Sequence, residues 1–595
     1  GGSVLYAVGS CIDIQFSNVS GVVTHDLRHN NAVSATCSHK GSHEYWYCSD
    51  CETYFKEETC ENAYTDDADA ETGVWIEMIP HTLPIEFDEN GLKYCSVCGH
   101  IEGEAPTLVA DEASPFNGYY AFSKAGHLVW LHNQVQAYDA VTNPSPIESI
   151  KCYLANDISL KAVCHPADAA NNVAEANWNP IGGENHFKGI FDGNGHTVSD
   201  LYINSSGNYL GLFGYVDGAE IKNVTVQGNV TGFYEEGNEQ SGQYVGLVLG
   251  FGASNTKLEN CKSEGSVTGY KNVGGIAGIM PYNGNVITSC TNRATVTGSG
   301  QNSEYVGGIV GYGQGFSLCA NFADITSEGD NVGGLAGQLN PNSKSLGMSN
   351  CMNVGNVKGK QYVGGLAGAC YAPQNTNNYS IGRVEATNQY AGLLVGTYTN
   401  NPSAAFEKTY YVKEGLVVEN GTTTAGKYYG NGTITAPAKA VNQADVASGK
   451  LATMLASVNS TWGQDLLDQE NAYPVLNGKA VYFSGSILCN GHLLSEAYTN
   501  DKAKETVTPA HSQEYDAGGF CTVCHESRVL HGTGIAEDPY LISSVEQLEY
   551  LRDQSNMGSR NITAHAKLVN DIDLSYASAS SWIPVSKSYS NGFAG

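Results

Sequence analysis

The sequence predicts a mainly β protein: a right-handed parallel β-helix, or solenoid, with short capping helices, flanked by small zinc-ribbon-like Cys/His modules. Three observations carry that expectation. One phrase recurs along the middle of the chain, as YVGLVLG from Tyr244, NVGGIAG from Asn272, YVGGIVG from Tyr305, NVGGLAG from Asn331, YVGGLAG from Tyr362 and YAGLLVG from Tyr390. The starts lie 28, 33, 26, 31 and 28 residues apart, a period that marks stacked units, each burying its apolar face only against the next. A second phrase falls between the first: NVTVQGNV from Asn223, NCKSEGSV from Asn260, SCTNRATV from Ser289, LCANFADI from Leu318 and NCMNVGNV from Asn350. Outside the repeats, Cys-x-x-Cys pairs recur with Cys and His upstream.

The units hold too much Gly and too few apolar residues for a helical hairpin, and their apolar runs alternate as short strands do. Stacking the second phrase gives a column of Val224, Cys261, Cys290, Cys319 and Cys351, and six residues on another of Val230, Val267, Val296, Ile325 and Val357. Parallel strands stack about 4.8 Å apart, so each column buries itself rung on rung. Handedness follows from the crossover preference. The paired Gly residues belong at corners, where φ > 0 or close backbone approach is needed.

The VGGLAG-type units coupled to NCxNxGxV segments are led by Phe191-Asp192-Gly193-Asn194-Gly195-His196-Thr197-Val198 and Leu210-Gly211-Leu212-Phe213-Gly214. Together they resemble the GLUG-motif repeats of bacterial surface proteins, over roughly residues 120 to 480. The resemblance implies a secreted, surface-attached protein, with kinship to the β-helical part of IgA-specific metallopeptidases. It implies no single activity. The His-Glu-x-x-His helix of those peptidases has its nearest counterpart in His525-Glu526-Ser527-Arg528-Val529, which lacks the second His, so that activity is not carried over.

Composition fits an extracellular solenoid. Gly is 70 of 595 residues, charged residues are 15%, and 60 acidic against 30 basic side chains give a formal charge of −30. Such a chain repels nucleic acid and anionic lipid. No apolar run approaches the roughly 18 residues of a membrane span, and no signal-peptide pattern opens the chain. Gly1-Gly2-Ser3-Val4 therefore reads as a processed or excised start.

Taken in order, residues 1–110 hold seven of the 17 cysteines and form Cys/His ribbon-like modules. Cys60, His81, Cys95 and Cys98 make one candidate metal set, and Cys37, Cys48, Cys51 and His25 another. The pattern returns in a module at 483–534, with Cys489, His511, Cys521 and Cys524. Cys and His at this spacing suit tetrahedral structural zinc. Disulfides and free thiols are the alternatives, because modules this short need some staple. Residues 111–184 supply an N-terminal cap, with Leu128, Leu131 and Val135 on one helical face beside Trp130, and the first strands. Residues 185–400 are the repeats proper, and 401–482 close them with a helix near Ala444 to Ser457. Residues 535–595 restart the pattern, as a cap and the opening strands of a second, incomplete solenoid. That break predicts either continuation past Gly595 or self-association in which another protomer supplies the next rung.

The cysteine column reads as packing, since Val224 takes the same place one rung earlier and a buried thiol behaves as a small hydrophobe. Glu304 and Asp330 could face each other on adjacent rungs, though a solvated face explains them as well. Tyr244, Tyr305, Tyr362 and Tyr390, interleaved with Asn272 and Asn331, form a ladder that could bind a partner or stack on itself. The expectation is a non-enzymatic extracellular modular surface protein, a solenoid spacer or an adhesin for a host protein or glycan. A self-assembling filament subunit and a carbohydrate-active β-helix enzyme are the competing readings.

Overall fold

A computed structural model describes residues 27–137, 150–398 and 406–478, each with short internal omissions, and isolated segments between 481 and 572. The chain divides into two compact units, Gly1–Ser145 and Pro146–Gly595.

The second unit is dominated by the expected parallel β-solenoid. Three sheets run along it, and the central coils contribute to each. One face takes the three-residue strands Glu220–Lys222, Lys257–Glu259 and Val286–Thr288 and their successors; another takes Phe213–Val216, Leu249–Gly252, Ala277–Met280 and five more. The longest face pairs two segments of every coil in parallel. The columns stack in the expected register: Val230, Val267, Val296, Ile325 and Val357 are aligned and buried. Val245, Val273, Val306, Val332 and Val363 form a second such column from the Gly-rich phrase.

The corners differ from expectation in an instructive way. Positive φ falls on Tyr209, Tyr244, Asn272, Tyr305, Asn331, Tyr362 and Tyr390, between 55° and 65°, and not on the paired Gly residues that follow them. A second left-handed column is made by Asn223, Asn260, Ser289, Leu318, Asn350 and Asn377. Asn tolerates this conformation better than most residues, which explains its recurrence there. The Gly residues serve the other purpose, close approach. A Cβ on Gly308 would stand 2.3 Å from the Gly334 carbonyl and 2.6 Å from the Asn321 amide; one on Gly334 would stand 2.3 Å from the Asn353 amide.

Those amides belong to a ladder inside the solenoid. Ser263 donates to the Asn292 oxygen at 2.7 Å, Asn292 Nδ2 to Asn321 at 2.7 Å, and Asn321 Nδ2 to Asn353 at 2.7 Å. Each Asn also donates to a backbone carbonyl two residues on, of Ala294, Ala323 and Gly355. All three are fully buried. The two repeated phrases therefore interlock, since Gly makes room for the Asn that the other phrase supplies.

The closing segment lies along the flank of the last coils. Two short helices, Gln443–Ala447 and Lys450–Ala456, are separated by Gly449 at φ +82°. With Trp462 they pack on Ala320, Met352, Tyr379 and Tyr410, which are in register on four successive rungs. The Tyr379 hydroxyl donates to the Pro474 carbonyl, and Asn377 Nδ2 to the Leu455 carbonyl at 3.1 Å. One rung-column shows why the cover starts where it does. Thr225, Lys262 and Thr291 precede Ala320 in the same column; Lys262 is exposed and the two Thr are half-buried.

Of the second, restarted pattern, the described residues include one parallel pair, Tyr540–Ile542 with Ala566–Leu568. In the first unit, Leu27–Asn30, Tyr45–Cys48 and Thr53–Phe55 form an antiparallel sheet. Leu92–Tyr94 and Ile101–Gly103 make a hairpin. Helix Ala125–Gln136 buries Leu128, Leu131 and Val135 and packs on that hairpin. The approach is backbone on backbone, because a Cβ on Gly103 would stand 2.0 Å from the Gly126 carbonyl. Asn133 Nδ2 donates to the Ile101 carbonyl at 3.2 Å, and Lys124 pairs with Glu104 at 2.7 Å.

Candidate metal centre

The hairpin exists to present a knuckle. Between its strands run Cys95-Ser96-Val97-Cys98-Gly99-His100, with Gly99 at φ +74°. The Gly99 N–H donates to the Cys95 carbonyl at 2.9 Å and the Cys95 N–H to the His100 carbonyl at 2.8 Å. This tight turn brings Cys95 and Cys98 together. His81 reaches them from the preceding segment, its Nδ1 3.4 Å from Cys98 Sγ, and its ring stacks on His100 with centroids 4.0 Å apart.

The fourth member is Cys37, 58 residues upstream, with its Sγ 3.4 Å from Cys95 Sγ. All four donor atoms lie within 4.8 Å of one another. Ligands held about 2.0 to 2.3 Å from a tetrahedral metal are about 3.3 to 3.8 Å apart, so two of the measured separations already match the edges of such a site. A disulfide needs about 2.05 Å between sulfurs, and these cysteines are thiols. Cys37 and Cys95 are buried, Cys98 is partly so, and His81 is exposed, leaving an entry side.

The electrostatics suit a cation. Burial opposes the Cys95 thiolate, but the backbone N–H groups of Cys98 and Val97, with His81 and Cys37, outweigh it and hold the thiol down at about 5. Cys37 is pushed up to about 12, chiefly by the Cys98 side chain and then by burial. A group that keeps one thiolate readily and resists a second is completed by a divalent ion, which removes the repulsion. Burial, together with His81, keeps the His100 imidazole below its ordinary value. The group could hold a metal ion.

It draws on both sets expected for residues 1–110: His81, Cys95 and Cys98 from one, Cys37 from the other. Cys48 is buried at the end of strand Tyr45–Cys48, opposite Thr53. His25, Cys51 and Cys60 lie outside the described residues, as do Cys489, His511, Cys521 and Cys524. That Cys37 would join the knuckle had no local signal, because the two are joined through 58 residues of chain.

The solenoid cysteines are a different matter. Cys261, Cys290, Cys319 and Cys351 are fully buried thiols, stacked one per coil. Each points at the backbone: Cys290 donates to the Thr288 carbonyl at 3.3 Å, Cys319 to Ser317 at 3.1 Å and Cys351 to Ser349 at 3.2 Å. The tyrosine ladder stacks on itself where Tyr follows Tyr. Tyr209 and Tyr244 are parallel with centroids 5.2 Å apart, and so are Tyr362 and Tyr390. Glu304 and Asp330 do face each other on adjacent rungs, beside Lys271 and Lys360. Burial raises the Asp330 carboxyl and Lys360 partly offsets this.

Over 185 residues, 31% of its length, the chain is 31% identical to halomucin of Haloquadratum walsbyi (strain DSM 16790 / HBSQ001), and it spans 2% of that protein. A solved chain from Bacteroides ovatus, provisionally described as an immunoglobulin A1 protease, shares 19% identity at a TM-score of 0.40, covering 60% of this chain and 92% of that one. At that score the likeness carries no part of the argument. No protein-family model matches the chain.

Proposed function

We propose that this is a non-enzymatic, extracellular modular surface protein in which the solenoid is a stiff spacer or adhesive rod and the Cys/His module is a zinc-stapled joint. The observation that carries the reading is the stack, whose interior Asn and Val columns fix each coil on the next. The partial likeness to halomucin supports a place at a cell surface, and the kinship with GLUG-type repeats belongs to the same proposal. Among the described residues no helix is long and apolar enough to cross a membrane. Zinc is the metal of choice for three thiolates and one imidazole at tetrahedral spacing. An extracellular protein or a glycan is the partner.

Antibodies against residues 197–398, applied to intact cells of the source organism, should label the surface. Labelling that appears only after permeabilisation would contradict the proposal. Metal analysis of the purified chain should find zinc at the Cys37, His81, Cys95 and Cys98 group.

A further inference from the structure

We infer that the outer face of the first coils carries a binding groove for a short segment of a neutral, hydroxyl-rich saccharide chain. This rests on the surface-protein reading and names a partner chemistry for it. A groove of about 460 Å³ crosses three successive rungs, within the roughly 300 to 1,000 Å³ of small-molecule sites. Its floor is backbone. Leu201, Gly228 and Gly265 lie in register, and a Cβ would stand 2.1 Å from the Leu201 carbonyl at Gly228 and 2.0 Å from the Gly228 carbonyl at Gly265. One wall is made by a register slip between Val198 and Leu201, where Asp200 takes φ +59°. A non-Gly residue held there is costly and needs support from its surroundings. That support is visible, since Asp200 accepts the hydroxyls of Ser159 at 2.6 Å and Ser199 at 3.1 Å.

The polar side chains are fixed before any ligand arrives. Gln227 Nε2 donates to Glu264 at 2.6 Å, the Ser266 hydroxyl to Asn229 at 2.7 Å, and the Tyr202 hydroxyl to Glu175 at 2.5 Å. These bonds spend one group on each amide and leave the Gln227 carbonyl and the Asn229 N–H pair to the groove. With the lone pairs of Asp200 and Glu264 they offer donors and acceptors on adjacent rungs, about 4.8 Å apart. Sugar hydroxyls both donate and accept, and match such a set. Lys161 is set against two carboxylates, so a polyanion is disfavoured. An extended peptide would seek a strand edge, but Thr225–Gly232 is already paired on both sides.

The test is titration calorimetry of the full chain with neutral oligosaccharides of roughly two to four units, a length suited to such a volume, alongside uronate-containing counterparts and unglycosylated peptides. A neutral saccharide should bind, and Asn229→Ala and Glu264→Gln should each weaken it about tenfold, the effect of losing a hydrogen bond or two, without shifting the melting temperature. Asn229→Asp, which keeps the shape and the oxygen that accepts from Ser266 but loses the N–H pair, serves if Asn229→Ala folds poorly. Saccharide binding that these variants leave unchanged would end this site while the adhesive reading stands. Binding of peptides or uronates alone, or no saccharide binding, would also overturn it, and surface labelling would then decide separately whether the spacer reading survives.

Discussion

Cysteine does opposite work in the two units. Around Cys95 the neighbours are donors: the N–H groups of Val97 and Cys98 and the His81 ring favour a thiolate. Around Cys319 the near partner is an acceptor, the Ser317 carbonyl at 3.1 Å, and burial pushes the thiol well above its ordinary value. The first environment calls for a cation; the second uses sulfur as a small apolar filler, although at Cys290 in the same column burial is outweighed by bonds from Cys261, Cys319 and the backbone, which hold that thiol low. Residue type does not separate the two cases. What separates them is the gathering of donors: at Cys95 two further thiols and the His81 ring meet within 4.8 Å of one another, whereas the solenoid thiols are stacked one per coil in a fully buried column.

The largest effect should follow from removing the metal. Cys98→Ser should weaken zinc binding by at least about a thousandfold, some 4 kcal/mol, and either that variant or a chelator should release hydrogen-exchange protection in residues 73–137. The melting of the solenoid should not move, because folding is coupled to metal only in the module that binds it. Equal loss in both units would break the distinction.

Next in size is the interior ladder. Asn321→Ala orphans the Asn292 donor and the Asn353 acceptor in a dry interior, and should cost about 2 to 4 kcal/mol in chemical denaturation of the solenoid. Metal content should stay unchanged.

Acid should act on the first unit first. The Cys95 thiol is lower in the folded chain than the ordinary value of 9.0, so its thiolate contributes stability above about 9 that is lost as pH falls through about 5. Zinc release followed between pH 8 and 4 should steepen toward that lower limit, and a pH-independent affinity would contradict the thiolate assignment.

The smallest effect should come from Cys319→Val, within about 1 kcal/mol, since Val224 already occupies the column. Loss of folding in this variant would mean that the sulfur column has a role beyond packing.

Much of this organisation was legible in the residues. The period fixed the coils, and the Val230 to Val357 column is in the register that the aligned phrases imply. Three features were not legible, for physical reasons. Cys37 meets the knuckle through a long loop, so spacing alone joined it to Cys48 and Cys51. The left-handed corners fell to Tyr and Asn because side-chain stacking and Asn tolerance replace Gly there, while Gly was needed where the Asn321 and Asn353 amides cross the interior. The flank cover could be read only once register was known, when Thr225, Lys262 and Thr291 are seen to give way to Ala320, Met352, Tyr379 and Tyr410.

The most direct test is thiol labelling of the native chain, read residue by residue in a mass spectrometer with and without chelator. Cys37, Cys95 and Cys98 should be protected with zinc and react once it is removed, whereas Cys261, Cys290, Cys319 and Cys351 should stay protected until the solenoid itself is denatured. Labelling of the solenoid cysteines on chelation, or of all seven at one rate in the native protein, would contradict the account.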